Sequence, residues 1–258
     1  MADDVIISYR GVKKAFGGNV IYDGLDLDIL RGETITVIGG SGTGKSVMLK
    51  MLIGLLRPDA GHVWFDGAEV TALHEDGLIP VRRRIAMLFQ GAALFDSLTV
   101  AENIEYPLRE HMKMNHDERA ERVREVLDLV GLPGIEAMKP AELSGGMKKR
   151  IGLARAIAVR PEVIMYDEPT TGLDPINTSR INELIVRTRE ALGVTSIVVT
   201  HDMASAFKVS DRIAMLFNRR ISAVGTVSEI SRSDDEMVRS FIEGRPAYSP
   251  SFPPQKAP

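Results

Sequence analysis

The sequence predicts an α/β fold: a mainly parallel sheet covered on both faces, a small antiparallel sheet on one flank, and an inserted block of helices. Three observations predict it. The runs TITVIG (34–39), EVIMYDE (162–168) and TSIVVTH (195–201) are apolar without in/out alternation, as expected of parallel strands buried on both sides. Short strands at 5–10, 25–30 and 62–66 lie near turn signals such as Asp66-Gly67, which suits an antiparallel flank. Between about 99 and 140 the pattern turns helical. In NHDERAERVREVLDLVG the residues Ala120, Val123, Val126, Leu127 and Val130 recur at helical spacing, Asn115 and Glu118 form a capping-box pair, and Gly131 is a stop.

Composition bounds the function. At 258 residues and 44% hydrophobic the chain can bury a sizeable core. We read it as one domain over 1–245, with a helical subdomain at about 91–160 and a flexible Pro-rich tail at 246–258. A net charge of -3 gives no broad basic field, so no nucleic-acid partner is expected. The absence of cysteine excludes disulfides, thiolate metal sites and a cysteine nucleophile. No run approaches the roughly 18 apolar residues of a membrane span, and MADDVIISYRGVKK lacks the order of a signal peptide. The expectation is a soluble cytosolic chain that reaches a membrane only through partners.

The strongest chemical signal is GGSGTGKS: Gly39, Gly40, Ser41, Gly42, Thr43, Gly44, Lys45 and Ser46. It follows a strand and opens an apolar helix, the context a phosphate-binding loop requires. Glycines let successive backbone N–H groups turn inward, Lys45 bridges the outer phosphates, and the Ser46 hydroxyl can ligate magnesium. This is a nucleoside triphosphate site. VIMYDE ends a buried strand with two carboxylates, costly there unless a cation or ligand is near, so Asp167 is assigned to magnesium and Glu168 to the attacking water. Gln90 closes RIAMLFQ and His201 closes SIVVTH, both beyond strand ends where an open α/β sheet binds ligands. Each alone is as well explained as a structural residue. A second anion cradle stands at Ser144, Gly145 and Gly146, at the start of a helix. Taken alone it reads as a plain N-cap; beside the first cradle it implies a second ligand or shared use of one.

These motifs, with TGLDP at 171–175, stand in the order found in the ATP-binding subunits of ATP-binding cassette (ABC) transporters, which the chain resembles from about 5 to 245. The resemblance implies a P-loop NTPase (RecA-like) core, ATP and Mg2+ as ligands, and hydrolysis of ATP coupled to transport. It also implies that two copies pair head to tail, each lending Ser144, Gly145 and Gly146 to the nucleotide on the other's phosphate loop. Asp174 then lies at the dimer seam, Phe16 stacks on the adenine, and Gln90 and His201 serve the metal, water and terminal phosphate.

Two residues depart from the family's usual pattern: Met147 stands where glutamine is usual, and Phe16 where tyrosine is. Met147 and the stretch LFQGAALFDSLTVAENIEYPLREH (88–111) resemble the ATPases of the Mla and Mce lipid transport systems. That branch implies an integral membrane permease, an MCE-domain protein, a STAS-domain subunit, phospholipid as cargo, and a peripheral place on the cytoplasmic side of the inner membrane. An importer ATPase for an amino acid or ion stays open beside it. A small-molecule kinase would have no use for LSGGM, and a DNA-repair or translation cassette would carry tandem motifs or an insertion.

Overall fold

The structure, a computed structural model, describes residues 4–245. The tail at 246–258 lies outside the described residues. The first half contains β1 (Val5–Phe16), β2 (Asn19–Leu30), β3 (Thr34–Ile38), α1 (Lys45–Leu52), β4 (Ala60–Phe65), β5 (Ala68–Glu69), α2 (Glu75–Arg84), β6 (Ile85–Leu88), α3 (Val100–His111) and α4 (His116–Leu129). The second half contains α5 (Gly145–Ala158), β7 (Val163–Asp167), α6 (Pro175–Leu192), β8 (Thr195–Thr200), α7 (Met203–Val209), β9 (Arg212–Phe217), β10 (Arg220–Thr226), α8 (Val227–Ser231) and α9 (Glu236–Ile242).

Six strands form the main sheet in the order β10-β9-β3-β8-β7-β6, parallel except for the β9/β10 hairpin. All of β3 and β8 is buried, as their unbroken apolar runs predict. The second sheet is antiparallel, in the order β2-β1-β4-β5. Its first two strands are twice as long as the 5–10 and 25–30 segments expected, because β1 and β2 stay paired through irregularities in register such as that between Tyr9 and Val12. A bulge breaks the alternation on which a strand reading depends. The Asp66-Gly67 turn forms as expected, both residues having positive φ (47° and 80°).

Residues 212–226 receive no element from the sequence patterns, yet the hexapeptide RIAMLF there repeats the one at 84–89. Both copies become strands, β6 at a sheet edge and β9 beside β3. The capping box at Asn115 and Glu118 is present, and α4 stops at Val130, just before Gly131 with φ 66°.

The link from β6 to α3 is held by one side chain. Asn103, fully buried, accepts from Phe95 N (2.8 Å) and donates to the carbonyls of Phe95, Leu98 and Thr99 (3.1, 3.2 and 2.9 Å). The Arg155 guanidinium on α5 donates to the carbonyls of Ala92 and Ala93 (2.9 and 2.8 Å), whose φ values are positive at 61° and 50°. Truncating Asn103 takes a partner from Phe95 N and from Leu98 O, whereas the carbonyls of Phe95 and Thr99 keep the N–H groups of Leu98 and Asn103, and it leaves a gap at a fully buried position. Asn103→Ala is therefore expected to cost about 1–3 kcal/mol, seen as a lower urea midpoint at unchanged slope.

Candidate functional site

The carboxyl ends of β3, β7 and β8 lie side by side because the strands pair in register, Ile38 opposite Thr200 and Val199 opposite Asp167. The loop 39–46 leaves the first, Glu168 the second and His201 the third. They meet at a cleft of about 390 Å³ whose lining includes Phe16, Lys45, Ser46, Gln90, Glu168 and His201.

The loop has little freedom to be built otherwise. Gly44, at the N-terminus of α1, has φ 108°, and a Cβ there would come within 2.4 Å of the Ile21 side chain. Its carbonyl accepts from the Tyr22 hydroxyl, which packs the antiparallel sheet against the start of the helix. Lys45 is 6% exposed, and its ammonium donates to the carbonyls of Gly39 and Gly40 (2.9 and 3.0 Å). Burial lowers its pKa, against the opposing pull of the Glu168 carboxylate. A buried ammonium of this kind gains from any anion brought to the cleft.

Ser46, in the lining of the cleft, donates from Oγ to Asp167 Oδ1 at 2.7 Å, so a carboxylate stands one hydrogen bond behind the lining. Hard oxygen donors such as these suit magnesium, and Gln90 adds a third oxygen to the lining. Among the described residues no three His, Asp or Glu converge, so a magnesium ion here would complete its shell with water and phosphate oxygens.

Glu168 is the hub. Its φ is 48°, in the left-handed region that a non-glycine residue adopts only when its surroundings enforce it, and its N–H donates to Val199 O at 2.9 Å. The carboxylate lies 3.7 Å from Lys45 Nζ and 2.9 Å from His201 Nδ1. It accepts from the hydroxyls of Thr171 (3.1 Å) and Thr200 (3.2 Å). The sequence reading gives these two threonines no role of their own, although Thr171 opens TGLDP and Thr200 stands just before His201; only the fold brings their hydroxyls to Glu168.

Phe16 ends β1 at the rim, 46% exposed, with Lys14 Nζ 5.3 Å from its ring centroid. Its free face can stack on a flat ring. The second cradle lies elsewhere. Ser144 caps α5 by accepting from Met147 N (3.3 Å), Gly146 approaches Asn177, and none of Ser144, Gly145, Gly146 or Asp174 lines the cleft. Asp174 caps α6, accepting from the N–H groups of Ile176 and Asn177, both at 3.0 Å. These bonds hold its carboxyl below the usual carboxylate range. No helix among the described residues is long and apolar enough to cross a membrane.

Comparison with known proteins agrees with this geometry. A family model described as ABC transporter matches residues 22–171. A probable ribonucleotide transport ATP-binding protein of Mycobacterium leprae is 42% identical over 241 residues, covering 93% of this chain and 70% of its own. Intermembrane phospholipid transport system ATP-binding proteins are 41% identical in Haemophilus influenzae and 38% in Escherichia coli K12, covering 93% of this chain and 90% and 89% of theirs. Among solved structures, the dimeric cassette MJ0796 in a post-hydrolysis state bound to ADP and Pi superposes with TM-score 0.78 at 33% identity, covering 86% of this chain and 99% of that one. The cbiO1 protein of Clostridium perfringens, part of the cbiONQ transporter complex, gives TM-score 0.83 at 28% identity, covering 92% and 95%.

Proposed function

The chain belongs to the ABC transporter family as its ATP-hydrolysing subunit, and from that premise we propose that it powers the movement of phospholipid between membranes. The observation that carries the chemistry is the carboxylate of Glu168, placed between Lys45 at 3.7 Å and His201 at 2.9 Å in a single cleft. ATP seats its phosphates on the backbone N–H groups of 40–46 and on Lys45, with Phe16 against the adenine. Ser46, Gln90 and Asp167 would hold Mg2+, which when bound supplies positive charge to the β- and γ-phosphate oxygens. Glu168, already oriented by Thr171 and Thr200, aligns the attacking water and draws its proton as the bond from the water oxygen to the γ-phosphorus forms and the bond from that phosphorus to the β–γ bridging oxygen breaks, so that ADP leaves with the electron pair. His201 donates toward the terminal phosphate, whose negative charge is also met by Lys45.

Because Ser144, Gly145 and Gly146 lie outside the chain's own cleft, a second copy in head-to-tail orientation supplies them, with Asp174 at the seam. Two composite sites result. An integral membrane permease meets the segment after Gln90. This is supported by the rings of Phe95 and Tyr106, 45% and 39% exposed with centroids 5.1 Å apart. Phospholipid as cargo is favoured by the two phospholipid-transport relatives at 41% and 38% identity. An MCE-domain protein and a STAS-domain subunit as further partners, and a peripheral position at the cytoplasmic face of the inner membrane, follow from the resemblance of Met147 and residues 88–111 to the Mla and Mce ATPases.

Replacing the hub carboxylate tests the chemistry. Glu168→Gln should bind ATP within about twofold of the parent yet turn it over about 10²- to 10⁴-fold more slowly; full turnover would reject the assignment. Sharing between copies is tested by mixing Lys45→Ala chains with Ser144→Arg chains. In the mixed dimer both lesions fall on one composite site, so ATPase activity should return, and its absence despite verified mixing counts against sharing. For cargo, the tagged full chain is to be purified from its own cell's membranes. Recovery of a permease, an MCE-domain protein and bound phospholipid is the expected result; a soluble solute-binding protein in their place would move the cargo to a small solute.

A further inference from the structure

The helix α5 carries three consecutive cations, Lys148, Lys149 and Arg150, and the middle one is buried, at 6% exposure. Among the described residues no carboxylate oxygen lies within 4.0 Å of its ammonium. Its three N–H donors instead meet three backbone carbonyls: Pro169 at 2.7 Å, Thr171 at 2.8 Å and Glu168 at 3.4 Å. A buried ammonium satisfied only by carbonyls is an expensive device where mere packing would accept a methionine. What it gathers is the turn that leaves Glu168, a residue held at φ 48°.

The same helix face comes close to the end of this loop and to the first turn of α6 at two further points. A Cβ on Gly146, one turn before Lys149, would stand 2.8 Å from Asn177 Oδ1, and one on Gly145 would stand 3.9 Å from Leu173. Asn177 in turn donates its side-chain amide to Asp174. The first turns of α5 and the stretch 168–177 are therefore packed as one piece.

We propose that Lys149 is a positioning residue that fastens the Glu168 loop to the N-terminal turns of α5. A nucleotide seated against Ser144–Gly146 in one composite site thereby sets the carboxylate that serves the other. The second half of this statement rests on the composite-site reading above; the first does not.

The test uses the full chain with its membrane partners. Lys149→Met removes all three donors, whereas Lys149→Gln keeps two on a stem one bond shorter. For Lys149→Met kcat should fall at least about tenfold, the effect expected when a reacting group is displaced by a fraction of an ångström to an ångström. Its affinity for ATP should stay within about twofold, as for sites that do not touch. Lys149→Gln should recover part of kcat. Parental kcat in a folded Lys149→Met chain, or equal losses of affinity and kcat with no recovery in Lys149→Gln, would overturn the proposal. Should Lys149→Met not fold, Lys149→Gln carries the test, with a lower kcat at unchanged affinity expected and parental kcat overturning it.

Mixed dimers locate the defect. Pairing Lys149→Met with Lys45→Ala leaves only the site that uses the altered chain's own Glu168, so turnover should fall about tenfold below that of parent paired with Lys45→Ala. Pairing it with Ser144→Arg leaves the site that uses the other chain's Glu168, and turnover should match parent paired with Ser144→Arg. The reverse pattern would place the defect in the helix rather than in the loop and overturn the proposal. If Lys45→Ala and Ser144→Arg chains do not complement each other, the composite reading has failed, and the split between kcat and affinity still decides whether Lys149 holds the loop.

Discussion

Parallel pairing of β3, β8 and β7 in one register is the constraint on which the site depends. With Ile38 opposite Thr200 and Asp167 opposite Val199, the phosphate loop, His201 and Glu168 emerge along one line at the edge of a buried sheet. A slip of a single residue would displace a group by about 3.3 Å, as much as the whole separation between Glu168 and His201. Strands buried on both faces carry no alternation to resist such a slip, so the register must be held from outside. The helices that cover them do this, and so does the N–H of Glu168 on Val199 O.

How far the sequence could be read follows the same physics. Unbroken apolar runs, capping boxes and glycine loops are local, and β3, β7, β8, α4 and the phosphate loop are all legible from them. The repeated RIAMLF shows the limit. Its first copy leads into Gln90 and draws notice, while the second leads into a hairpin turn at Asn218 and Arg219 with no motif beside it, although the second is a strand over all six residues and the first over only Ile85–Leu88. The roles of Tyr22, Thr171, Thr200 and Lys149 are illegible for another reason: each acts through a backbone carbonyl or a carboxylate far away in the chain or hidden in a turn. Such partners exist only once the fold does. The residues alone mark Ser144 as a second anion cradle, and the family resemblance gives it and Asp174 a place beside a partner copy, whereas the structure of one chain leaves both outside its cleft.

The electrostatics of the cleft favour an incoming anion. Lys45 is buried with two carbonyls and one carboxylate at 3.7 Å, a set too weak to offset its desolvation, as its lowered pKa records. Glu168 is held between that lysine and His201 and by two hydroxyls, so its oxygens are directed before any substrate arrives. Orientation in advance of binding is what gives such groups their effect on a transition state.

The segment from Ala92 to Thr99 has a mechanical meaning beyond its stability. Asn103 fixes four of its backbone groups, Arg155 fixes two more, and Gln90 stands at the cleft just before it. A loop of ordinary slackness would absorb a push on Gln90 within its own torsions. This one is splinted, so it behaves as a short crank: displacement at the cleft is handed on, with little lost motion, to α3, α5 and the exposed rings of Phe95 and Tyr106.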